Sequence, residues 1–128
     1  MSVEENKALI RRVFEEVLNQ RNVAVIDEAF APDSVDHSAW EGQAPGPAGV
    51  KEAVSGVLDL FPDLRVTVES AIGEGDHVAT RETWRGTHAP TGKPATGTVM
   101  HLFRLSGGRI AEEWSEGWGW FEQLTASD

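Results

Sequence analysis

TVMHLFRLSGGRIAEEWSEGWGW, residues 98–120, is the stretch whose reading decides the fold. It reads as two long strands, Thr98–Leu105 and Arg109–Trp118, joined by the turn Ser106-Gly107-Gly108. A Gly-Gly pair at a chain reversal supplies the positive φ angles of a tight hairpin. Period-two alternation places Val99, His101, Phe103 and Leu105 on one face of the first strand. The second strand divides into Ala111, Glu113 and Ser115 on one side and Ile110, Glu112, Trp114 and Glu116 on the other. If Glu113 or Ser115 lies opposite His101, an imidazole and a carboxylate project from neighbouring strands onto one face. A turn of two, three or four residues leaves that register open. A one-residue slip carries Glu113 and Ser115 to the opposite face and makes Glu116 the candidate acid.

Working back from the hairpin, Leu64–Ile72 and His77–Thr87 also carry a two-residue period. Gly73-Glu74-Gly75-Asp76 forms the turn between them, and His88–Pro94 is a longer connection. Pro47–Phe61 is instead helical, with Val50, Ala53, Val54, Val57, Leu58 and Phe61 on its buried side, and Pro62 stops it. Gly42–Gly49, rich in glycine and proline, is a loop suited to a rim or lid. Ser34–Trp40 is a short strand with Val35 and His37 on one face. Asn22 suits the cap of a short helix through Val23, Ile26 and Phe30 that ends before Pro32. At the amino terminus Ser2, Glu4 and Glu5 suit a helix start. Leu9, Ile10, Val13, Phe14, Val17 and Leu18 then form an apolar stripe up to about Gln20. Helices followed by a run of antiparallel strands indicate an α+β domain, and residues 1–128 fit a single one.

Composition narrows the function classes. The chain has 21 acidic and 11 basic residues, a net charge of −10, so nucleic acid and anionic lipid are repelled. Cysteine is absent, which excludes disulfides, thiol catalysis and thiolate metal sites. MSVEENKALIRR lacks an apolar leader core and no apolar run reaches membrane-spanning length, so a cytoplasmic location is expected.

Several phrases, in order, resemble the SnoaL-like polyketide cyclase (ester cyclase) group of the nuclear-transport-factor-2-like superfamily. They are Val35-Asp36-His37, Phe61-Pro62-Asp63-Leu64, Gly75-Asp76-His77-Val78, Arg85-Gly86-Thr87-His88, His101-Leu102-Phe103-Arg104 and Gly107 through Trp114. The resemblance implies a cone: a curved antiparallel sheet, cystatin-like, wrapped around N-terminal helices and enclosing an apolar cavity. It also implies a homodimer paired through the outer sheet face, a small-molecule ligand, and chemistry with neither metal nor organic cofactor. Cyclases of this group close a ring by intramolecular aldol condensation, using an aspartate directly after the tryptophan of a Glu-His-Trp-Asp phrase. Here that phrase reads Glu112-Glu113-Trp114-Ser115, so the acid position holds a serine. His101 matches the group's pocket histidine, and His37 matches a frequent histidine of the first strand.

The candidate catalytic pair is therefore Glu113 and His101. Glu113 would take a proton from a carbon flanked by carbonyls, and His101 would orient it or return the proton. Candidate ligand-binding residues are His37, Ser115, Trp40, Val99 and Phe14. The bland counterpart is an inward His–Glu hydrogen bond that satisfies two polar groups and touches no substrate. A carrier or sensor using the same cavity, or an assembly module, are the rivals from other classes. No His-x-His or His-x-x-x-His spacing supports a metal site. An Asp-Arg-Asp epoxide-hydrolase arrangement is not located, and a steroid-type isomerase needs a tyrosine, which the chain lacks. His77 and His88 flank turns and are expected in solvent. Trp84 and Trp114 suit core or dimer packing, and Trp118, Trp120 and Phe121 form an aromatic group at the end of the last strand.

Overall fold

Ser2 opens the first helix through a reciprocal cap. Its hydroxyl accepts the Glu5 N–H while the Glu5 carboxylate accepts the Ser2 N–H, each at 3.0 Å. The computed structural model describes residues 1–125, and in it α1 spans Val3–Val13. The predicted apolar stripe continues beyond α1, but in a wider coil: Phe14–Asn19 is π-helical, and the Gln20 N–H reaches the Glu15 carbonyl at 2.9 Å. This widening turns Phe14, Val17 and Leu18 inward together, and all three are buried.

Two short elements differ from expectation. Helix α2 covers only Val25–Ala29, and Asn22 supplies a backbone carbonyl to Val25 instead of a side-chain cap. Phe30 already belongs to strand β1, Phe30–Asp36, which displaces the expected Ser34–Trp40 strand toward the amino terminus. Pro32 lies in β1, an edge strand, where the pairing with β5 is irregular: the register shifts between the Phe30–Ile110 and Val35–Glu112 pairs, a place where a residue without an N–H is tolerated. Helix α3, Gly46–Leu60, begins within the expected Gly/Pro loop, with proline in its first turn where an N–H is not required.

Strands β2 (Arg65–Glu74), β3 (His77–His88), β4 (Lys93–Ser106) and β5 (Arg109–Glu116) complete a curved, unclosed five-stranded sheet. Its order is β1-β5-β4-β3-β2, antiparallel throughout except that β1 runs parallel to β5. The expected α+β class holds. The helices lie against the concave side, with α1 and the π-helical segment on β2 and α3 on β1. The last strand stops short of Trp118: Gly117 takes φ +103°, and a Cβ there would sit 2.5 Å from the Thr98 carbonyl oxygen. Helix α4, Gly119–Thr125, follows and folds its aromatics back over the sheet. Gly97 on β4 admits this return, since a Cβ on it would stand 2.3 Å from the Trp120 ring.

His88 is not in solvent; it is fully buried, its Nδ1 2.8 Å from the Thr91 hydroxyl and its ring against Phe61. The β3–β4 turn folds back and covers it. His77 is half exposed, 2.7 Å from Asp76.

One side chain ties the helical layer to the sheet. Asn19, at the end of the π-helical segment, donates to the Val66 carbonyl (2.9 Å) and accepts the Val66 N–H (2.8 Å). Asn19→Ala leaves both backbone groups unpartnered, and a loss of about 1–3 kcal/mol is expected. Urea unfolding should show it as a lower midpoint at unchanged slope; an unchanged midpoint would mean that the helix end is held by other contacts.

Candidate functional site

Inner-face alternation on β3 brings Val78, Thr80, Glu82 and Trp84 to the concave side, and all four are buried. On β4 the inward set is Val99, His101, Phe103 and Leu105, as predicted. The register of the closing hairpin puts Ser115 opposite His101 and Glu113 opposite Phe103. Both therefore share the face of His101. A β-bulge between the Arg104 and Leu105 pairings makes this compatible with a buried Ile110. On the far side of β5, Asp36 pairs with Glu113.

These residues close one wall of a half-open cavity of about 110 Å³. Ser38 and Gln43 add to this polar side, and the other walls are apolar: Phe14, Val17 and Leu18 from the π-helical segment, Val50, Ala53, Val54 and Val57 from α3, and Trp40, Trp84, Phe103 and Trp118. Of the candidate residues, Glu113, His101, Ser115, Trp40 and Phe14 line this space. Val99 is wholly buried behind it and is not part of the lining. His37 is on the outer face, a correction to its expected place. Its ring stacks on Trp114 at 4.6 Å and its Nε2 lies 3.2 Å from Glu112. Strand alternation allowed only one of Asp36 and His37 inside, and Asp36 takes that place.

His101 is held on three sides. Its ring stacks on Phe103 (5.3 Å, 2° between planes) and meets the edge of Phe14 at 5.4 Å. Its Nδ1 lies 2.8 Å from Glu82, not from the expected Glu113. Glu82 is fully buried, and its carboxyl also accepts from the Thr80 hydroxyl (2.7 Å) and the Trp84 indole N–H (3.2 Å). Sequence reasoning missed Glu82, although a signal was present: in Val78-x-Thr80-x-Glu82-x-Trp84 the acid falls on the apolar phase of the strand. Burial pushes the His101 pKa down, but the Glu82 hydrogen bond and charge, joined by Glu113 and Asp36, outweigh it and raise the net value.

Glu113 has a different environment. Among the described residues no side chain donates a hydrogen bond to its carboxyl. Burial raises its pKa from 4.5 to about 7, with His101 pulling down and Asp36 and Glu82 pushing up. Asp36 is well supplied, accepting the Ser38 N–H at 2.9 Å and the Gln43 side-chain amide at 3.2 Å. Ser115 accepts the Trp118 indole N–H at 2.9 Å, which leaves its hydroxyl proton for a ligand. Among the described residues no three His, Asp or Glu side chains gather in a metal-ligating group. The arrangement offers one acid that exchanges its proton near neutrality, facing an imidazole across an apolar space.

A family profile of SnoaL-like polyketide cyclases matches residues 8–118. No curated protein is significantly similar in sequence. Among solved structures the chain resembles AclR from Streptomyces galilaeus, a proposed hydroxylase, at 26% identity and TM-score 0.82 over 99% of each chain. It resembles IdmH from Streptomyces antibioticus, a proposed polyketide cyclase, at 29% identity and TM-score 0.80 over 94% of this chain and 98% of that one. An LEH-like epoxide hydrolase from M. tuberculosis shares the fold at 16% identity and TM-score 0.74, over 97% and 92% of the two chains.

The raised Glu113 pKa has a thermodynamic consequence. The fold prefers the neutral form, so this contribution to stability is complete below about pH 4.5 and is lost as pH rises through about 7. The change is on the order of 3 kcal/mol. Glu113→Gln, neutral at every pH, should therefore melt above the wild type at pH 8 and close to it at pH 4.5. Parallel melting curves across that range would refute the assignment of this acid as the buried titrating group.

Proposed function

This chain belongs to the SnoaL-like polyketide cyclase family, and on that premise we propose that its cavity binds a small, apolar, carbonyl-bearing molecule and moves a proton to and from carbon. The observation that carries the reading is Glu113: a carboxyl with no donor among the described residues, poised near pH 7, in a largely apolar cavity beside His101. A base matched to the working pH is what abstraction of a carbonyl-activated C–H requires. Glu113 takes the proton, the enolate carbon attacks a second carbonyl of the same molecule, and the new alkoxide receives a proton back. Bonds and protons balance, and the aldol closure uses no redox partner. Ser115 supplies a hydrogen bond to a ligand oxygen, and Phe14 and Trp40 supply apolar walls. A cavity of about 150 Å³ holds one benzene ring; at about 110 Å³ the enclosed space takes part of a ring, and the rest of the ligand extends through the open side.

Whether the guest is transformed or only carried turns on the same acid. Ser115, where the family resemblance leads one to expect an aspartate, favours the carrier as the second reading. Solvent exchange separates the two without knowledge of the natural substrate. With 1-tetralone in D2O, the wild type should accelerate exchange of the α-hydrogens, with a rate rising to a plateau above about pH 7. Glu113→Gln should lose about 10²-fold or more while ligand affinity stays within a few-fold. Equal exchange in the variant would remove the catalytic reading and leave the carrier.

We also assign a homodimer to the convex face. Ile72, Ala79, Leu102 and Trp114 are register partners in one row across four strands, with Met100 beside them. Ile72 and Met100 are 70% and 53% exposed, an apolar strip that a second copy would cover. Leu102→Glu should halve the sedimenting mass; a wild type that already sediments as a monomer would overturn the assignment.

A further inference from the structure

We propose that Glu82 is a positioning residue: it accepts the Nδ1–H of His101 and so presents Nε2–H to the cavity, as a fixed donor to the oxygen of an enolate or alkoxide. This deepens the proton-transfer reading and rests on it for the identity of that oxygen. The tautomer and orientation of His101 are properties of the protein alone.

The geometry starts from β3 and β4. Thr80 and His101 are register partners, as are Glu82 and Val99, so the Glu82–His101 contact is a diagonal one on a single sheet face. The Glu82 oxygens receive three donors: the Thr80 hydroxyl at 2.7 Å, the Trp84 indole at 3.2 Å and His101 Nδ1 at 2.8 Å. An indole N–H can only donate, and it shares Oε1 with the imidazole, so that oxygen is an acceptor. With Glu82 as a carboxylate, which has no hydrogen to give, the hydrogen of this contact belongs to the ring nitrogen. Stacking on Phe103 and the edge contact with Phe14 fix the plane of the ring. Nε2 has no partner among the described residues and is not a buried orphan, so the 10% of the side chain left exposed, on a cavity-lining residue, includes the edge that carries it.

The two glutamates thus divide the work by environment. Glu82 is wholly enclosed and saturated with donors, so it touches no ligand and abstracts nothing. Glu113 lines the cavity with no donor among the described residues and is the group that exchanges protons. His101 faces Glu82 from β3, Glu113 from β5 and Asp36 from β1, while the π-helical segment contributes only the Phe14 ring. Three carboxyls around one imidazole favour its doubly protonated form. A cationic Nε2–H donor stabilises a developing oxyanion and would repel a base role for this ring.

The test is a ¹⁵N-edited long-range proton NMR titration of the histidine rings, with His101 identified by its loss in His101→Asn. In the wild type, His101 should keep both ring protons past the pH at which a free imidazole loses one. Whatever neutral form follows should carry its hydrogen on Nδ1. Glu82→Gln, which keeps shape and loses charge, should lower the proton affinity of His101 at least tenfold and cut tetralone exchange without changing ligand affinity. A wild-type ring protonated on Nε2 alone overturns the proposal, as does an unchanged titration in Glu82→Gln. Should that variant fail to fold, the wild-type spectrum decides. If Glu113→Gln leaves exchange intact while Glu82→Gln still shifts His101, the positioning stands and the proton-transfer reading falls.

Discussion

Ile110 and Glu113 stand three residues apart on β5, and both turn to the concave side, which a regular strand forbids. The extra residue is Ala111, which lies between the Leu105–Ile110 and Arg104–Glu112 pairs. Everything at the site depends on that bulge. Without it, a buried isoleucine at the base of the hairpin would commit Glu113 and Ser115 to solvent. With it, β5 anchors the core at one end and furnishes the polar wall of the cavity at the other. The residues beyond the bulge then meet His101 from β4 and Asp36 from β1 in register.

The second constraint is electrostatic. Burying carboxyls is unfavourable unless each is supplied with donors or allowed to go neutral. Both solutions coexist here. Glu82 is supplied by Thr80, Trp84 and His101; Glu113, without a donor among the described residues, has its pKa raised toward neutrality by burial. The apolar helices are what make the distinction matter. Phe14, Val17 and Leu18 from the widened coil, with Val54 and Val57 from α3, keep the surroundings poor in polar groups.

Much of this was legible in the chain. Alternation from Val99 to Leu105 and the Gly107-Gly108 turn located the closing hairpin, and the stripe from Leu9 to Leu18 located the helix within the cone. Family phrases added the curved sheet that local patterns do not specify. Five features were hidden for physical reasons. A bulge is one residue of slack in a pairing, so strand composition does not announce it, and only the structure settled whether Glu113 faced in. The partner of His101 lies nineteen positions away across β3. Sequence proximity had pointed to Glu113 because the hairpin is local and the β3 diagonal is not. His88 reads as a turn residue and is buried because the chain folds back over it, and His37 lost its inner place to Asp36 by parity alone. The shift of β1 to Phe30–Asp36 was masked by Pro32, which ordinarily argues against a strand and is harmless at an edge.

That edge proline also bears on whether copies of this chain can join edge to edge. An open sheet exposes unpaired backbone along its border, and such borders invite strand-by-strand accretion into fibres. Pro32, without an N–H, interrupts the hydrogen-bonding rail of β1, and Asp33 beside it is exposed and charged. Lateral growth is discouraged there, in keeping with the pairing proposed for the convex surface. Contact through a face closes on itself at two subunits, whereas contact through a border need not stop.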